Sequence, residues 1–332
     1  MAAKHVTLTN SCPRSGHLPN KRSARVPISV LIPVRNEVRN LQACLEAIRD
    51  WADEIVVVDS QSVDGTCELA ESAGATVLQF HYAGGWPKKR QWGLDNHPWR
   101  NEWILLLDAD EIVTEAVQRE IESAILDPRF DGYWLTFRLI FLGHALRFGD
   151  TRLRKRFLFR AGRGRFERRL ENQDVSMSDI EIHEHVIIDG RTGWLKNPVR
   201  HENVNSLHRY IEKHNEYSTW EAHVHRFGTN GELDPSLFGN QAQRRRWLKR
   251  KLLRFPGSPL LRFLYIYILR FGFLDGRAGL IYALFKMVQL IHVKAKLAEL
   301  AISRNDAPHK DRREAPDLGV DVNRRVSDKV QN

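Results

Sequence analysis

Cysteine is scarce in this chain of 332 residues, with only Cys12, Cys44 and Cys67 scattered along its first fifth. So few, so widely spaced, exclude a disulfide framework and a cysteine zinc site, and a reducing cytoplasm is the expected compartment. Long apolar runs are missing too. Arg262, Arg270, Arg277 and Lys286 punctuate the most apolar region, so no run of about eighteen uninterrupted apolar residues marks a clean membrane-spanning helix. Residues 1–26 are polar and basic without the apolar core of a secretory signal, and read as a disordered leader. No internal repeat is visible.

What is present is enough apolar material for a folded core, 42% of the residues. Lys and Arg number 51 against 41 Asp and Glu, a formal charge of +10 that favours phosphate-bearing partners: nucleic acid, anionic lipid or sugar nucleotide. From Ile28 to about Ile140, strand-like runs alternate with helical patterns: ISVLIPV, LQACLEAIRDW, EIVVVD, GTCELAESAG, ATVLQF. This rhythm predicts parallel strands joined by crossover helices. A fourth buried strand is expected at Trp103 to Leu107. Ligands on such sheets bind beyond the carboxyl ends of the strands, which here carry Asn36, Glu37, Asp59, Ser60, Asp108 and Asp110.

The sharpest local signal is LLLDADE, where a buried strand delivers Asp108 and Asp110 to its end with one small residue between them. Two such carboxylates can face a hard divalent cation, magnesium or manganese, although solvated acids at a strand end are the plain alternative. The order PVRNE, DSQSVDGT, KKRQWGL, LLDADE resembles the family 2 glycosyltransferases of the GT-A fold, in particular bacterial enzymes of lipopolysaccharide core or exopolysaccharide synthesis. The resemblance runs from Pro27 to Glu221 and more weakly through FLYIYILRFGFLDGRAGL in the tail.

That resemblance implies that Pro33, Asn36 and Glu37 line a nucleotide cleft, that Asp59 contacts base or ribose, and that Arg90 lies beside the donor phosphates. Asp108 falls near ribose and metal and Asp110 on the metal itself, with His201 as a further ligand in some relatives. Two positions depart from the pattern: Ser60 stands where many relatives have a second acid, and Gln91 where Asn is usual. Asp64 is expected in an Asx turn before Gly65, and Lys88 and Lys89 on a solvated helix face. The segment DIEIHEHVIIDG reads as a strand with Asp179, Glu181, His183 and His185 on one face and Ile180, Ile182, Glu184 and Val186 on the other. Glu184 interrupts the apolar face, a costly place for an idle carboxylate, and the resembled subgroup has a His-Glu pair where inverting enzymes keep their base. Glu184 is therefore the candidate general base. An ion pair with the preceding basic stretch is the competing account.

The expected organisation is a leader over 1–26, a GT-A type α/β domain over 27–227, a basic amphipathic helical extension over 228–303 that associates with membrane, and a disordered tail over 304–332. Arg152 to Arg169 is crowded with arginine but carries no recognised nucleic-acid module, so no nucleic-acid partner is expected. Trp86, Trp92, Trp99 and Trp134 could stack on sugar rings, but most are expected in the core. The function this implies is inverting transfer of a hexose-type sugar from a nucleotide diphosphate-sugar, with divalent metal, onto a lipid-linked or cell-surface saccharide, at the inner face of the cytoplasmic membrane. Two rivals remain. A nucleotidyltransferase would carry a Gly-rich basic loop after the first strand, where this chain has PVRNE, and a non-catalytic scaffold would not need the acids at Asp59, Asp108 and Asp110.

Overall fold

The computed structural model describes residues 25–170, 179–181, 184–202, 206–228, 236–238 and 241–305. The expected leader up to residue 24, Ile182 and His183, the loop at 229–235 and the tail beyond residue 305 lie outside the described residues.

The run Val26–Val34 forms β1, which is buried along most of its length, as a central strand covered on both faces must be. Ala52–Asp59 (β2) pairs parallel to it on one side, and Thr76–Gln79 (β3) extends that edge. Trp103–Leu106 (β4) pairs parallel to β1 on the other side. The crossovers are the helices Val38–Ile48 (α1), Thr66–Ser72 (α2) and Lys89–Asn96 (α3). In α1 the buried residues Leu41, Cys44, Leu45 and Ile48 recur at three- and four-residue spacing, so one stripe faces the sheet.

The second half closes the sheet with mixed pairing. It comprises Glu111–Ile112 (β5), the helix Glu115–Ala124 (α4), Gly132–Phe141 (β6), His144–Ala145 (β7), Arg152–Arg160 (β8), Gly164–Phe166 (β9), Val186–Ile188 (β10) and Thr192–Glu202 (β11). Among the described residues the main sheet runs β3-β2-β1-β4-β8-β6-β11-β5, with β7 on β6 and a separate two-stranded antiparallel β9–β10 sheet. Two features of register assemble the site. The parallel strands β1, β2 and β4 end on the same side, and the β11–β5 pairing sets His201 opposite Glu111, next to Asp110. This is the expected α/β sheet with crossover helices, and the helical C-terminal extension is present as well.

After the sheet come Leu207–Phe227 (α5), within the expected domain bounds, and then the extension, Gln241–Arg254 (α6), Ser258–Leu264 (α7) and Gly276–Asn305 (α8), with a π turn and a 3₁₀ turn between α7 and α8. It is seated on the domain by a second core in which Phe141 and Leu146 pack among Ile266, Ala278, Tyr282 and Ala283. Asp275 accepts hydrogen bonds from the Phe148 N–H (2.9 Å) and the Arg147 N–H (3.1 Å), and Arg262 pairs with Asp150 at 3.0 Å. One stretch, Gly272–Ile302, is long and apolar enough by length and composition to cross a membrane, although interrupted by charge; a little over a quarter of its most apolar window is buried inside the protein.

Two expectations need correction. The segment from Asp179 to Ile188 is strand only over Val186–Ile188; Asp179, Ile180, Glu181, Glu184 and His185 are not strand, so the two-face alternation does not hold. Lys88 and Lys89 are buried rather than solvated. Both changes have one cause, because the acids of this segment turn onto the basic N-terminus of α3.

Gly93, in the middle of α3, shows how tightly that helix is pressed to the sheet: a Cβ there would come within 2.8 Å of both Leu31 Cδ1 and Val58 Cγ2. Overpacking of this kind costs roughly 1–3 kcal/mol, more than the ~0.5–1 kcal/mol that replacing a mid-helix glycine returns. Gly93→Val is expected to lower the urea midpoint of unfolding by an amount corresponding to about 2 kcal/mol with an unchanged slope. A midpoint equal to that of the parent protein would show that α3 is not held this closely.

Candidate active site

The loops after β1 and β2 lock to each other before any ligand arrives. Asn36, in a left-handed conformation (φ 55°) that asparagine tolerates, donates its N–H to Ser62 Oγ (2.7 Å) and accepts from the Val63 N–H (2.9 Å). Asp59 is fully buried and accepts hydrogen bonds from the Ser62 N–H (2.9 Å) and hydroxyl. Burial pushes its carboxyl up, but these bonds outweigh that and hold it below the usual range. Asp64 accepts from the Thr66 N–H (3.1 Å) and the Val38 N–H (3.3 Å), the turn role expected of it. Glu37 accepts from Asn40 (2.6 Å) and pairs with Lys213, tying the loop after β1 to α5.

The three consecutive cations at the start of α3 each meet an acid of the 179–184 segment. Lys88 Nζ lies 3.3 Å from Glu184, with both side chains fully buried, and 4.7 Å above the ring of Trp220. Lys89 lies 3.1 Å from Asp179 and donates to the Val34 carbonyl at 2.8 Å. Arg90 donates to the Glu181 carbonyl at 2.6 Å, while the Glu181 carboxylate accepts the N–H groups of Arg90 (3.2 Å) and Gln91 (2.9 Å). Glu181 thus caps the helix, satisfying N–H groups that have no partner within it. Gln91 takes a structural role, accepting from the Phe166 N–H at 2.7 Å and donating to Asp95 at 2.8 Å.

From this clamp Arg90 reaches the end of β4. Its guanidinium pairs with Asp108, whose other oxygen accepts from Lys155 Nζ at 2.9 Å. Burial pushes the Asp108 carboxyl up, but the two cations more than offset it and hold the group far below the carboxylate range. Glu111, buried behind it, accepts from Lys155 (2.7 Å) and from the Asp108 N–H (2.8 Å). Its own carboxyl is pushed up to about 7 by burial, against Lys155 and with the help of Asp108. Neither Lys155 nor Glu111 stood out in the sequence. Lys155 is one of many basic residues in its stretch, and only the antiparallel pairing of β8 with β4 singles it out.

Asp110 stands apart from Asp108. Its Oδ2 lies 3.3 Å from His201 Nε2. For Asp110 burial raises and His201 lowers, with a net shift downward; for His201 burial lowers and Asp110 raises, with a net shift upward. No group of three His, Cys, Asp or Glu side chains suited to a metal occurs among the described residues. The Asp110–His201 pair nevertheless offers one carboxylate and one imidazole to one point. That suits a magnesium-like ion that takes its remaining ligands from phosphate oxygens and water rather than from a protein cage.

The sequence-selected residues therefore form one site with internal divisions. Pro33, Asn36, Glu37, Arg90, Asp108, Asp110, Glu184 and His201 all line a single open cleft of about 2210 Å³, whereas Asp59 is buried beneath it. Trp86, Trp92 and Trp99 pack against the core, while Trp134 does not join them.

Residues 29–179 match the family described as glycosyl transferase family 2. An uncharacterized glycosyltransferase of Rickettsia bellii is 35% identical over 106 residues, 32% of this chain and 35% of that protein. The chain spans about a third of the length of this and the other rickettsial relatives it matches. Lipopolysaccharide core biosynthesis glycosyltransferase LpsC of Rhizobium meliloti is 28% identical over 216 residues, covering 60% of this chain and 71% of LpsC. The solved structure of S. aureus TarS residues 1–349 overlaps 83% of this chain and 91% of its own at 14% identity and a TM-score of 0.40. Through residues 29–179, then, the chain is similar to glycosyl transferase family 2.

Proposed function

We propose that the protein transfers a sugar, with inversion, from a nucleotide diphosphate-sugar to a hydroxyl of a lipid-linked or cell-surface saccharide. The observation that carries this reading is the convergence, at the end of β4, of Asp108 with Arg90 and Lys155 and of Asp110 with His201, in a cleft walled by the end of β1 and the loop after it. Breaking the bond to the anomeric carbon leaves negative charge on a diphosphate, and preorganised cations lower the cost of that charge. Arg90 and Lys155 supply two such cations, and Asp108 holds them in place. Asp110 and His201 would hold a divalent cation, which when bound adds Lewis-acid stabilisation of the leaving diphosphate. On the nucleotide side, Pro33, Asn36, Glu37 and Asp59 form the wall and floor.

An inverting displacement also needs a base on the acceptor side, and we assign Glu184. Its carboxylate faces Lys88 in the resting structure, so proton removal requires it to turn from that ion pair into the cleft. The acceptor is placed by the extension. Leu260, Leu261, Ile268, Leu269, Phe271 and Leu274 are exposed on and just after α7, between the basic α6 and the packed α8. An apolar rim beside clustered Arg and Lys suits the interface of an anionic bilayer, and peripheral binding at the inner face of the cytoplasmic membrane fits an acceptor carried on lipid. The lipopolysaccharide role named for the Rhizobium relative agrees with that class of acceptor.

Calorimetric titration with a panel of UDP, GDP and dTDP in the presence of manganese tests the donor side. Asp110→Asn should abolish the manganese-dependent part of binding, while Asp64→Asn, in a turn, should change it little. Because Asp110 draws the His201 pKa upward, a proton competes with the cation at higher pH than an ordinary histidine would allow. Affinity should therefore fall as pH drops from 8 to 6, by at most about tenfold per unit. Full manganese-dependent affinity in the Asp110 variant would refute the metal assignment.

General-base catalysis contributes about 10²–10⁴-fold, so Glu184→Gln should lose turnover of that order in single-turnover transfer while nucleotide affinity is kept. The control is Glu181→Gln, whose residue caps α3. Transfer surviving in the Glu184 variant would exclude this residue as the base.

For the membrane reading, the protein should sediment with phosphatidylglycerol vesicles at low salt and be partly released at high salt. The double variant Leu261→Glu, Leu269→Glu should sediment less. Equal sedimentation of parent and variant would show that this rim is not the contact.

A further inference from the structure

The outward side of β6, β8 and β11 carries a feature that the reaction site does not use. Lys155 turns from β8 toward Asp108, so its strand neighbours Arg154 and Arg156 turn to the other side. There they meet Trp134 of β6 and Trp194 of β11, which are opposite each other in the strand pairing. The two indoles stack 4.9 Å apart with an interplanar angle of 8°. The Arg156 guanidinium lies over Trp134 at 4.8 Å and that of Arg154 over Trp194 at 5.2 Å. Trp194 is 52% exposed, an unusual expenditure of a large apolar side chain on a sheet surface.

Charge on this face is poorly matched. Arg138, Arg152 and Arg154 are exposed, and among the described residues none of them has a carboxylate partner; Arg156 faces Glu167, and Arg200 pairs with Glu202. Trp134, Trp194, Arg154 and Arg156 also belong to the lining of the cleft that holds Asp110 and His201.

We propose that this face is a subsite for an acidic saccharide, in which a pyranose ring packs on the indole platform and its carboxylate or phosphate is held by Arg154 and Arg156. The inference rests on the reading of the protein as a saccharide-modifying transferase. Two parallel aromatic rings offer a flat apolar surface to the C–H face of a sugar, and arginine forks match carboxylate and phosphate oxygens in a bidentate manner. Arg154, exposed and without an ion-pair partner among the described residues, can leave the outer ring to the sugar and turn to the anion. A lipid surface fits less well, because the exposed aliphatic side chains cluster on and after α7 instead.

Calorimetry on the full chain without donor tests this, using trigalacturonic acid as the acidic probe, maltotriose as the neutral one and a single-stranded RNA hexamer as the competing polyanion. The parent protein should bind the uronide, more weakly as salt is raised, and bind maltotriose at least tenfold less tightly. Trp194→Ala and the double variant Arg154→Ala, Arg156→Ala should each lower uronide affinity by tenfold or more, and Trp194→Phe should restore most of it. Absence of uronide binding by the parent, or equal affinity in the variants, overturns the proposal. So does RNA binding that the variants lose while uronide binding is unchanged. Nucleotide titration of the same proteins separates the two levels: every variant should bind nucleoside diphosphate like the parent, and failure of the parent to do so would count against the transferase reading while leaving the uronide result to stand by itself.

Discussion

The ion pairs between the start of α3 and the 179–184 segment are the constraint on which the site depends. Three consecutive cations enter the protein together, and burying them without partners would cost several kcal/mol each. Asp179, Glu181 and Glu184 answer them one by one, and Glu181 also satisfies the buried N–H groups of Arg90 and Gln91 at the start of the helix. The result is a joint of paired charges between the start of α3 and the 179–184 segment. Arg90 is aimed at Asp108 by that joint, which is how a residue distant in sequence comes to neutralise the end of β4.

The same joint explains why the acids of DIEIHEHV do not follow strand periodicity. A strand would alternate them between faces, whereas three buried cations draw all three toward one helix end. Electrostatic satisfaction overrides the local β preference of a short segment. It also gives each carboxylate a different job: Asp179 steadies Lys89 beside the β1 carbonyl, Glu181 caps, and Glu184 remains the acid nearest to a catalytic assignment. Sequence pattern cannot make this division, because it depends on which cation each side chain meets.

Charge and apolar surface are distributed over three separate places. The basic groups at the end of β4 are paired within the site, those of the outward sheet face largely lack carboxylate partners among the described residues, and those of α6 lie beside exposed leucines and phenylalanines of the extension. A formal charge of +10 therefore describes no single surface. Each location combines its arginines or lysines with different company, carboxylates, indoles or aliphatic chains, and that company sets the kind of partner each can take.

By itself the sequence determined the elements whose signal is local. Apolar runs such as VPISVLIPV and EIVVVD read as covered strands, the three- and four-residue spacing of α1 as a helix packed on one side, and the motif order set Asp59, Asp108 and Asp110 at strand ends. The tertiary structure alone decided what depends on register and distant partners. Lys155 joins Asp108 because β8 runs antiparallel to β4, His201 reaches Asp110 because β11 pairs with β5, Lys88 and Lys89 are buried because acids about ninety residues away close over them, and Trp134 meets Trp194 because β6 and β11 lie side by side. Periodicity reports which face a residue is on, but only the folded chain sets what stands opposite that face.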